Sequence, residues 1–218
     1  MKPREFYNAV AVLYDQRHDS PATRHLRKKE FAIIQKYARG RTLDVGCGTG
    51  SYLRPGVVGL DLSEKMLALA RAQSRMLVQG NEILPFTTGA FDTVLCMFTV
   101  ANMTDSAVLA KEAFRVLRPG GHVILSVASV HDNSKNLEKK IQVAGFKMKF
   151  SLFTKKKLLA DFADFQVQEF QGVFIDVLPD WGGYRPFSRE ECQLLIRESE
   201  RPQDEGRLLL VVFRRHHG

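Results

Sequence analysis

The stretch Thr42-Leu43-Asp44-Val45-Gly46-Cys47-Gly48-Thr49-Gly50 constrains this chain more than any other. A short apolar strand runs into three glycines on alternate positions, with an acid two places before the first. Glycine has no Cβ, so the chain can turn sharply there and its amides can press against a ligand. A second apolar segment, Val57-Val58-Gly59-Leu60-Asp61-Leu62, follows closely and also ends in an acid. That carboxylate is placed to accept two hydrogen bonds from the hydroxyls of a ribose. Together the two segments describe the first half of a nucleotide-binding βαβ unit.

The dinucleotide fingerprint is Gly-x-Gly-x-x-Gly, whose helix N-terminus faces a pyrophosphate. Here the spacing is Gly-x-Gly-x-Gly, and Ser51 stands where that pattern wants its last glycine. Asp44, just before the loop, would repel a pyrophosphate and suits a ligand with a cationic ammonium or sulfonium. A lone glycine turn is often only a turn, but acids on both sides of this one argue for a ligand. The pattern resembles the cofactor motif of class I S-adenosylmethionine-dependent methyltransferases.

At 218 residues and 44% apolar content the chain can build one substantial core. No apolar run approaches a bilayer span, so no membrane segment is expected. The first thirty residues are studded with charge, which argues against a secretory signal. Cys47, Cys96 and Cys192 match neither a disulfide framework nor a metal-ligand spacing, so no metal is expected and a reducing cytoplasm is the expected compartment. The 32 basic against 24 acidic residues give a net charge of +8. Lysines crowd positions 135 to 157, including Lys139, Lys140, Lys147, Lys149 and Lys155-Lys156-Lys157, with a second cluster at Arg24, Arg27, Lys28 and Lys29. Such patches can neutralise phosphates, but no aromatic-interleaved RNA signature accompanies them, and solvated helix faces are the expected reading.

Apolar spacing predicts helices over Arg4–His18 and Ala22–Tyr37, the latter stopped by Gly40. Strands follow at 42–45 and 57–62, joined by a very short helical segment that Pro55 must end. Ser63 reads as the N-cap of a helix over 64–73. Further strands are predicted at 76–79 and 92–98, the latter a nearly continuous apolar run expected of a buried parallel strand. Asp105 or Ser106 starts a helix to Leu117, and Arg118-Pro119-Gly120-Gly121 turns into a strand over 122–127. Helices over 137–144 and 155–162, a strand at 167–175, a helix at 189–198 and a strand at 208–213 complete the order. Alternating strands and helices imply an α/β, doubly wound, mostly parallel sheet.

The resemblance runs from Thr42 to Ser126. It implies a seven-stranded Rossmann-like methyltransferase fold with an antiparallel last strand. It also implies one domain over 1–218, with an N-terminal helical lid at 1–40 and a loop/helix insertion at 176–206. Val78-Gln79-Gly80-Asn81-Glu82-Ile83-Leu84-Pro85-Phe86 is similar to the family's turn after the third strand, with Asn81 where Asp is common. Val116-Leu117-Arg118-Pro119-Gly120-Gly121 is similar to its turn into the fifth. More narrowly, Phe98-Thr99-Val100-Ala101-Asn102-Met103-Thr104-Asp105 resembles the quinone-ring C-methyltransferases, which carry Arg where this chain has Ala101. Ser51-Tyr52-Leu53 resembles tRNA wobble-uridine methyltransferases.

What the resemblance implies is S-adenosyl-L-methionine as cofactor, held by Asp44, Gly46, Cys47, Gly48, Thr49, Asp61, Leu62, Met66, Asn81, Glu82 and Met97. Within that set Asp44 orders the loop or reaches the ammonium through water, Asp61 takes the ribose, and Leu62 and Met66 flank the adenine. Methyl transfer from a sulfonium needs positioning and exclusion of water more than an acid or base. Candidate catalytic or lid groups are therefore few: His131, just after a strand, Tyr14 on the first helix, and Asn102, with His18, Trp181 and Tyr184 as lid material. A small-molecule acceptor is expected, with tRNA or another RNA the alternative, and a non-catalytic cofactor-binding protein the reading from another class. A nicotinamide oxidoreductase is disfavoured by the glycine spacing and Asp44. The sequence leaves the oligomeric state open.

Overall fold

Side chains alternate between two hydrophobic layers along each central strand, and that alternation builds the molecule. The computed structural model describes residues 1–70, 83–98, 105–132, 134–135, 137–173, 188–200, 206 and 208–216. Strands β1 (Thr42–Val45), β2 (Val57–Leu60), β3 (Phe91–Met97) and β4 (Leu117–Ala128) are mutually parallel where they pair. The hairpin strands β5 (Glu138–Val143) and β6 (Phe146–Ser151) form a separate two-stranded sheet. Strand β8 (Leu208–Arg215) lies antiparallel between β4 and β7 (Phe165–Val173). The main sheet has the order β2-β1-β3-β4-β8-β7 among the described residues. The strand expected at 76–79 lies outside them.

Leu43, Val94, Cys96, Val123, Leu125, Val211 and Phe213 point to one layer. It is covered by α1 (Pro3–Arg17), α3 (Glu64–Leu69), α4 (Ser106–Val116) and α5 (Lys155–Asp161), through Phe6, Val10, Met66, Leu109, Val116 and Leu158. Leu95, Met97, Ile124, Leu208, Leu210 and Val212 point the other way. There they meet Leu26, Ile33 and Ile34 of α2 (Pro21–Tyr37), and Cys192 and Leu195 of α6 (Arg189–Ser199). Parallel strands buried on both faces read as nearly continuous apolar runs.

The helix starts are chemically defined. Ser20, Ser63, Asp105, Thr154 and Ser188 each cap a helix by accepting a hydrogen bond from a backbone N–H in the first turn. Ser63 and Asp105 are the expected caps. The helix expected over 64–73 is described as far as Leu69.

Two expectations are corrected. Residues 46–56 form turns and no helix: the three loop glycines take positive φ (74° at Gly46, 55° at Gly48, 88° at Gly50), which breaks any helical run. The helix expected over 137–144 is the β5–β6 hairpin. Its turn residues Ala144 and Gly145 both have positive φ (47° and 85°), as a two-residue hairpin turn demands. The sequence signal was the period-two run Phe146-Lys147-Met148-Lys149-Phe150, which buries Met148 and Phe150 and exposes the lysines.

Candidate functional site

Strand order reverses at β1, whose neighbours β2 and β3 lead in opposite directions across the sheet. In doubly wound folds ligands bind beyond the carboxyl ends of the strands at this point. The glycine loop leaves β1 here, Asp61 follows β2, and Met97 ends β3. The backbone holds the loop: the N–H groups of Gly46 and Cys47 both donate to the Leu60 carbonyl, at 2.6 and 3.0 Å. Gly59 permits the close approach, since a Cβ there would lie 2.8 Å from Leu53 Cδ2 and 2.9 Å from Cys47 Sγ.

Asp61 is 9% exposed and accepts from Gly48 N at 2.8 Å on Oδ2 and from Ser63 N at 2.8 Å on Oδ1. Each carboxylate oxygen has a second lone pair, so Asp61 can fix the loop and still accept two hydroxyls. Burial raises its pKa, and the backbone bonds from Ser63, Gly48 and Leu62 oppose that shift.

Asp44 is different. It is fully buried, and neither of its oxygens has a hydrogen-bond partner among the described residues. Burial, then the charges of Asp61 and Glu30, raise its pKa to about 7. Of the two roles expected of Asp44, ordering the loop or reaching the ammonium through water, the hydrogen bonds that fix the loop come instead from Leu60 and Asp61. A buried carboxylate left without a partner costs several kcal/mol unless a cation arrives. That is an observation a sulfonium- and ammonium-bearing ligand fits.

A third acid completes the cluster and was not anticipated. Glu30 of α2 is 2% exposed and occupies the helical spacing of Leu26 and Ile34, a core position. Its carboxylate accepts hydrogen bonds from Tyr52 Oη and, at 2.7 Å, from Ser126 Oγ. Burial raises its pKa, while those two bonds and Arg27 pull it down. The sequence signal was available: an acid in the apolar stripe Ala22, Leu26, Ile33, Ile34. Ser126 Oγ also accepts from Phe98 N at 3.0 Å, steadying a non-glycine residue at φ 59° just after β3. Such strain costs of order 1–3 kcal/mol and persists where surroundings enforce it.

The remaining expected residues are placed as follows. Thr49 is buried, and its hydroxyl donates to Asp15 Oδ1 at 2.6 Å, tying α1 to the loop. Asp15 was missed beside the expected Tyr14. Tyr14 is half-buried with its ring 4.3 Å from that of His18, whose Nδ1 meets the Tyr14 carbonyl at 2.8 Å. Met66 is fully buried in the first layer, Leu62 is partly exposed, and Cys47 is buried with its thiol pKa raised by burial. Met97 is buried opposite Ser126 in the β3–β4 register. His131 lies exposed in the turn after β4, its carbonyl accepting from Ser134 N. Asn81, Glu82, Asn102, Trp181 and Tyr184 lie outside the described residues.

Helix α1 is anchored across α3. Asn8 Oδ1 accepts from Ser63 Oγ at 2.6 Å, and Asn8 and Arg4 both donate to Glu64. The lysines have local partners in part: Lys149 pairs with Glu138, Lys157 with Asp161, and Lys155 lies over the Phe170 ring. Lys140, Lys147 and Lys149 share the exposed face of the hairpin.

Residues 43–125 match the methyltransferase domain family. An uncharacterised protein of Methanocaldococcus jannaschii is 32% identical over 160 residues, covering 71% of this chain and 62% of its own length. A demethylmenaquinone methyltransferase of Lactococcus lactis subsp. lactis is 39% identical over 141 residues, covering 56% of each chain. The chain thus spans about three fifths of the length of these relatives. Among solved structures, the [4+2]-cyclase SpnF superposes with a TM-score of 0.69 at 16% identity, over 99% of this chain and 95% of that one, a likeness of fold alone. The match to the methyltransferase domain family thus spans the glycine loop, Asp61 and Met97.

Proposed function

We propose that this domain transfers the methyl group of S-adenosylmethionine to a small-molecule acceptor, in the reducing cytoplasm where its three buried free cysteines stay reduced. The observation that carries the reading is Asp44, a fully buried carboxylate whose two oxygens have no partner among the described residues, at the point where strand order reverses. When bound, the cofactor supplies a methyl group already activated on a positively charged sulfur. The chain's own task is to bind, orient and dry the site. Asp44 faces the cationic end, the amides of Gly46 to Gly48 line the methionine part, and Asp61 accepts from the ribose. Leu62 and Met66 border the adenine, and backbone carbonyls near Met97 meet the ammonium.

Helix α1 serves as the cover. The Thr49–Asp15 bond and the Asn8 contacts hold it over the loop, and Tyr14 with His18 forms its aromatic underside. An acceptor proton leaves to solvent or to a nearby base, for which His131 is the described candidate. A small acceptor is supported by the relatives named for demethylmenaquinone methylation and by the local pairing of the lysines. No helix among the described residues is long and apolar enough to cross a membrane.

The test is a pair of measurements. Calorimetry should show S-adenosylhomocysteine binding where NADH does not. Tritium from labelled S-adenosylmethionine should then appear in a metabolite extract and not in bulk tRNA. Label in RNA, with binding that falls steeply with salt, would replace the small acceptor with a nucleic acid.

A further inference from the structure

We propose that Ser126 is a positioning residue for the cofactor: its backbone carbonyl and its hydroxyl together fix the Phe98 N–H, which aims the Met97 carbonyl at the ammonium end of the site. The inference rests on the cofactor reading above, and it names a residue of β4, far from the glycine motif in sequence.

The geometry begins with one peptide group. Phe98 N donates to Ser126 O at 2.9 Å and to Ser126 Oγ at 3.0 Å, so the N–H between Met97 and Phe98 faces β4. That peptide is trans, and a planar trans peptide holds its C=O opposite its N–H. The Met97 carbonyl therefore faces the other neighbour of β3, which is β1. By that level β1 has left the sheet. Its last pair with β3 is Asp44–Leu95, and the N–H groups of Gly46 and Cys47 both turn to the Leu60 carbonyl on β2. The Met97 carbonyl is thus directed over the end of β1, where the glycine loop departs. A carbonyl dipole there and the buried Asp44 carboxylate one turn of the pleat away both suit a cation.

The next observation is the conformation of Phe98. A φ of 59° at a bulky residue is costly and persists only where the surroundings enforce it. Phe98 packs against both hydrophobic layers, and the paired bonds from its N–H to Ser126 grip its backbone.

Ser126 itself is the third. It is fully buried in the otherwise apolar run Val123-Ile124-Leu125-Ser126-Val127-Ala128, where alanine would pack as well. Its hydroxyl donates to Glu30 Oε1 at 2.7 Å, which leaves lone pairs for Phe98 N. Tyr52 Oη, from the segment after the glycine loop, donates to the other Glu30 oxygen. Tyr52, Glu30, Ser126 and Phe98 form one buried line of hydrogen bonds from that segment to the end of β3. The line needs an acceptor at Glu30 and does not depend on its charge. A dipole fixed in this way needs no reorganisation when the ligand arrives.

The experiment is calorimetric binding of S-adenosylhomocysteine and of 5′-methylthioadenosine, which keeps the adenine, the ribose and a neutral sulfur but lacks the amino-acid end. Wild-type protein and Ser126→Ala are compared. The expected result is that the wild type holds S-adenosylhomocysteine more tightly. Ser126→Ala should weaken that ligand about tenfold while changing 5′-methylthioadenosine by less than about twofold. A fall in both affinities by one common factor overturns the proposal, since that is what a merely structural role gives. Unchanged affinity for S-adenosylhomocysteine, or a wild type that holds both ligands equally, overturns it as well. Ser126→Cys, which fills the position with a poorer hydrogen-bonding group, serves if the alanine variant does not fold, and the same outcomes decide there. A wild type that binds neither ligand instead overturns the cofactor reading itself.

Discussion

Asp44 and Asp92 stand at opposite ends of adjacent parallel strands, and they live by different rules. Asp92, at the entry to β3, is surrounded by donors. Arg118 Nη1 reaches its two oxygens at 2.8 and 3.0 Å, and Arg41 N donates to Oδ2 at 2.8 Å. Even Gly40 is tailored to it, because a Cβ there would fall 2.2 Å from Oδ2. Asp44, near the exit from β1, is buried and has no hydrogen-bond partner among the described residues. The same residue type closes the structure at one end of the sheet and leaves it electrically incomplete at the other. Asp92, satisfied by the fold, serves the fold, whereas the buried and unsatisfied Asp44 marks the candidate ligand site.

Substitution at the two acids should separate these roles. The largest effect is expected from Asp44→Asn, which should weaken S-adenosylmethionine binding about a hundredfold by removing the buried countercharge. The same change should raise the stability of the ligand-free protein at pH 8 by about 1–3 kcal/mol. The sign follows from the raised pKa. Folded Asp44 holds its proton up to about pH 7, against an ordinary carboxylate value of 3.8, so the folded state binds more protons in between. Stability of the ligand-free protein should therefore fall as pH rises from about 4 to about 7 and level off above, a slope that thermal melts would reveal and Asp44→Asn would flatten.

Asp61→Ala comes next, with cofactor affinity reduced at least about tenfold in calorimetry, because two hydroxyl bonds and the Gly48 anchor go together. Asp92→Ala should do the reverse. Chemical denaturation should show a loss of about 2 kcal/mol, while cofactor affinity stays within about twofold of wild type. Affinity that collapsed in that variant would erase the contrast between the two ends. The smallest effect is expected for Thr49→Val, which cuts the tie between loop and α1. It should cost about 1 kcal/mol and show as faster amide exchange in α1, with the sheet unchanged.

Much of the cofactor end was legible because its chemistry is local in sequence. Asp44, the loop glycines, Asp61 and the Ser63 cap fall within one short stretch, and strand-loop-strand spacing fixes their relation. Glu30, Asp15 and Ser126 were not read, because each acts across the fold. An acid on a helix stripe, one on a solvated helix end and a serine in a strand acquire meaning only when α2, α1 and β4 converge on the loop. The β5–β6 hairpin was misread as helix for a related reason: its turn, Ala144-Gly145, lacks the usual asparagine or aspartate, so the alternation in Phe146 to Phe150 was the only cue. The antiparallel pairing of β8 was expected from the resemblance, and β8 pairs antiparallel with both β4 and β7.

That last strand has a consequence for how the protein is made. β8 is the spacer that joins β4 to β7, and neither of those strands pairs with the other. While the polypeptide is being synthesised, β4 can dock on β3 early, but its far edge must wait for residues much later in the chain. Until they emerge, a row of unsatisfied peptide groups beside Val123, Leu125 and Val127 is open to any other nascent strand. Glu30, Asp44 and Asp61 belong to the early half of the chain, and the strand that covers the edge of β4 belongs to the late half. Slow translation between them would prolong the sticky interval, and swifter arrival of β8 would shorten it.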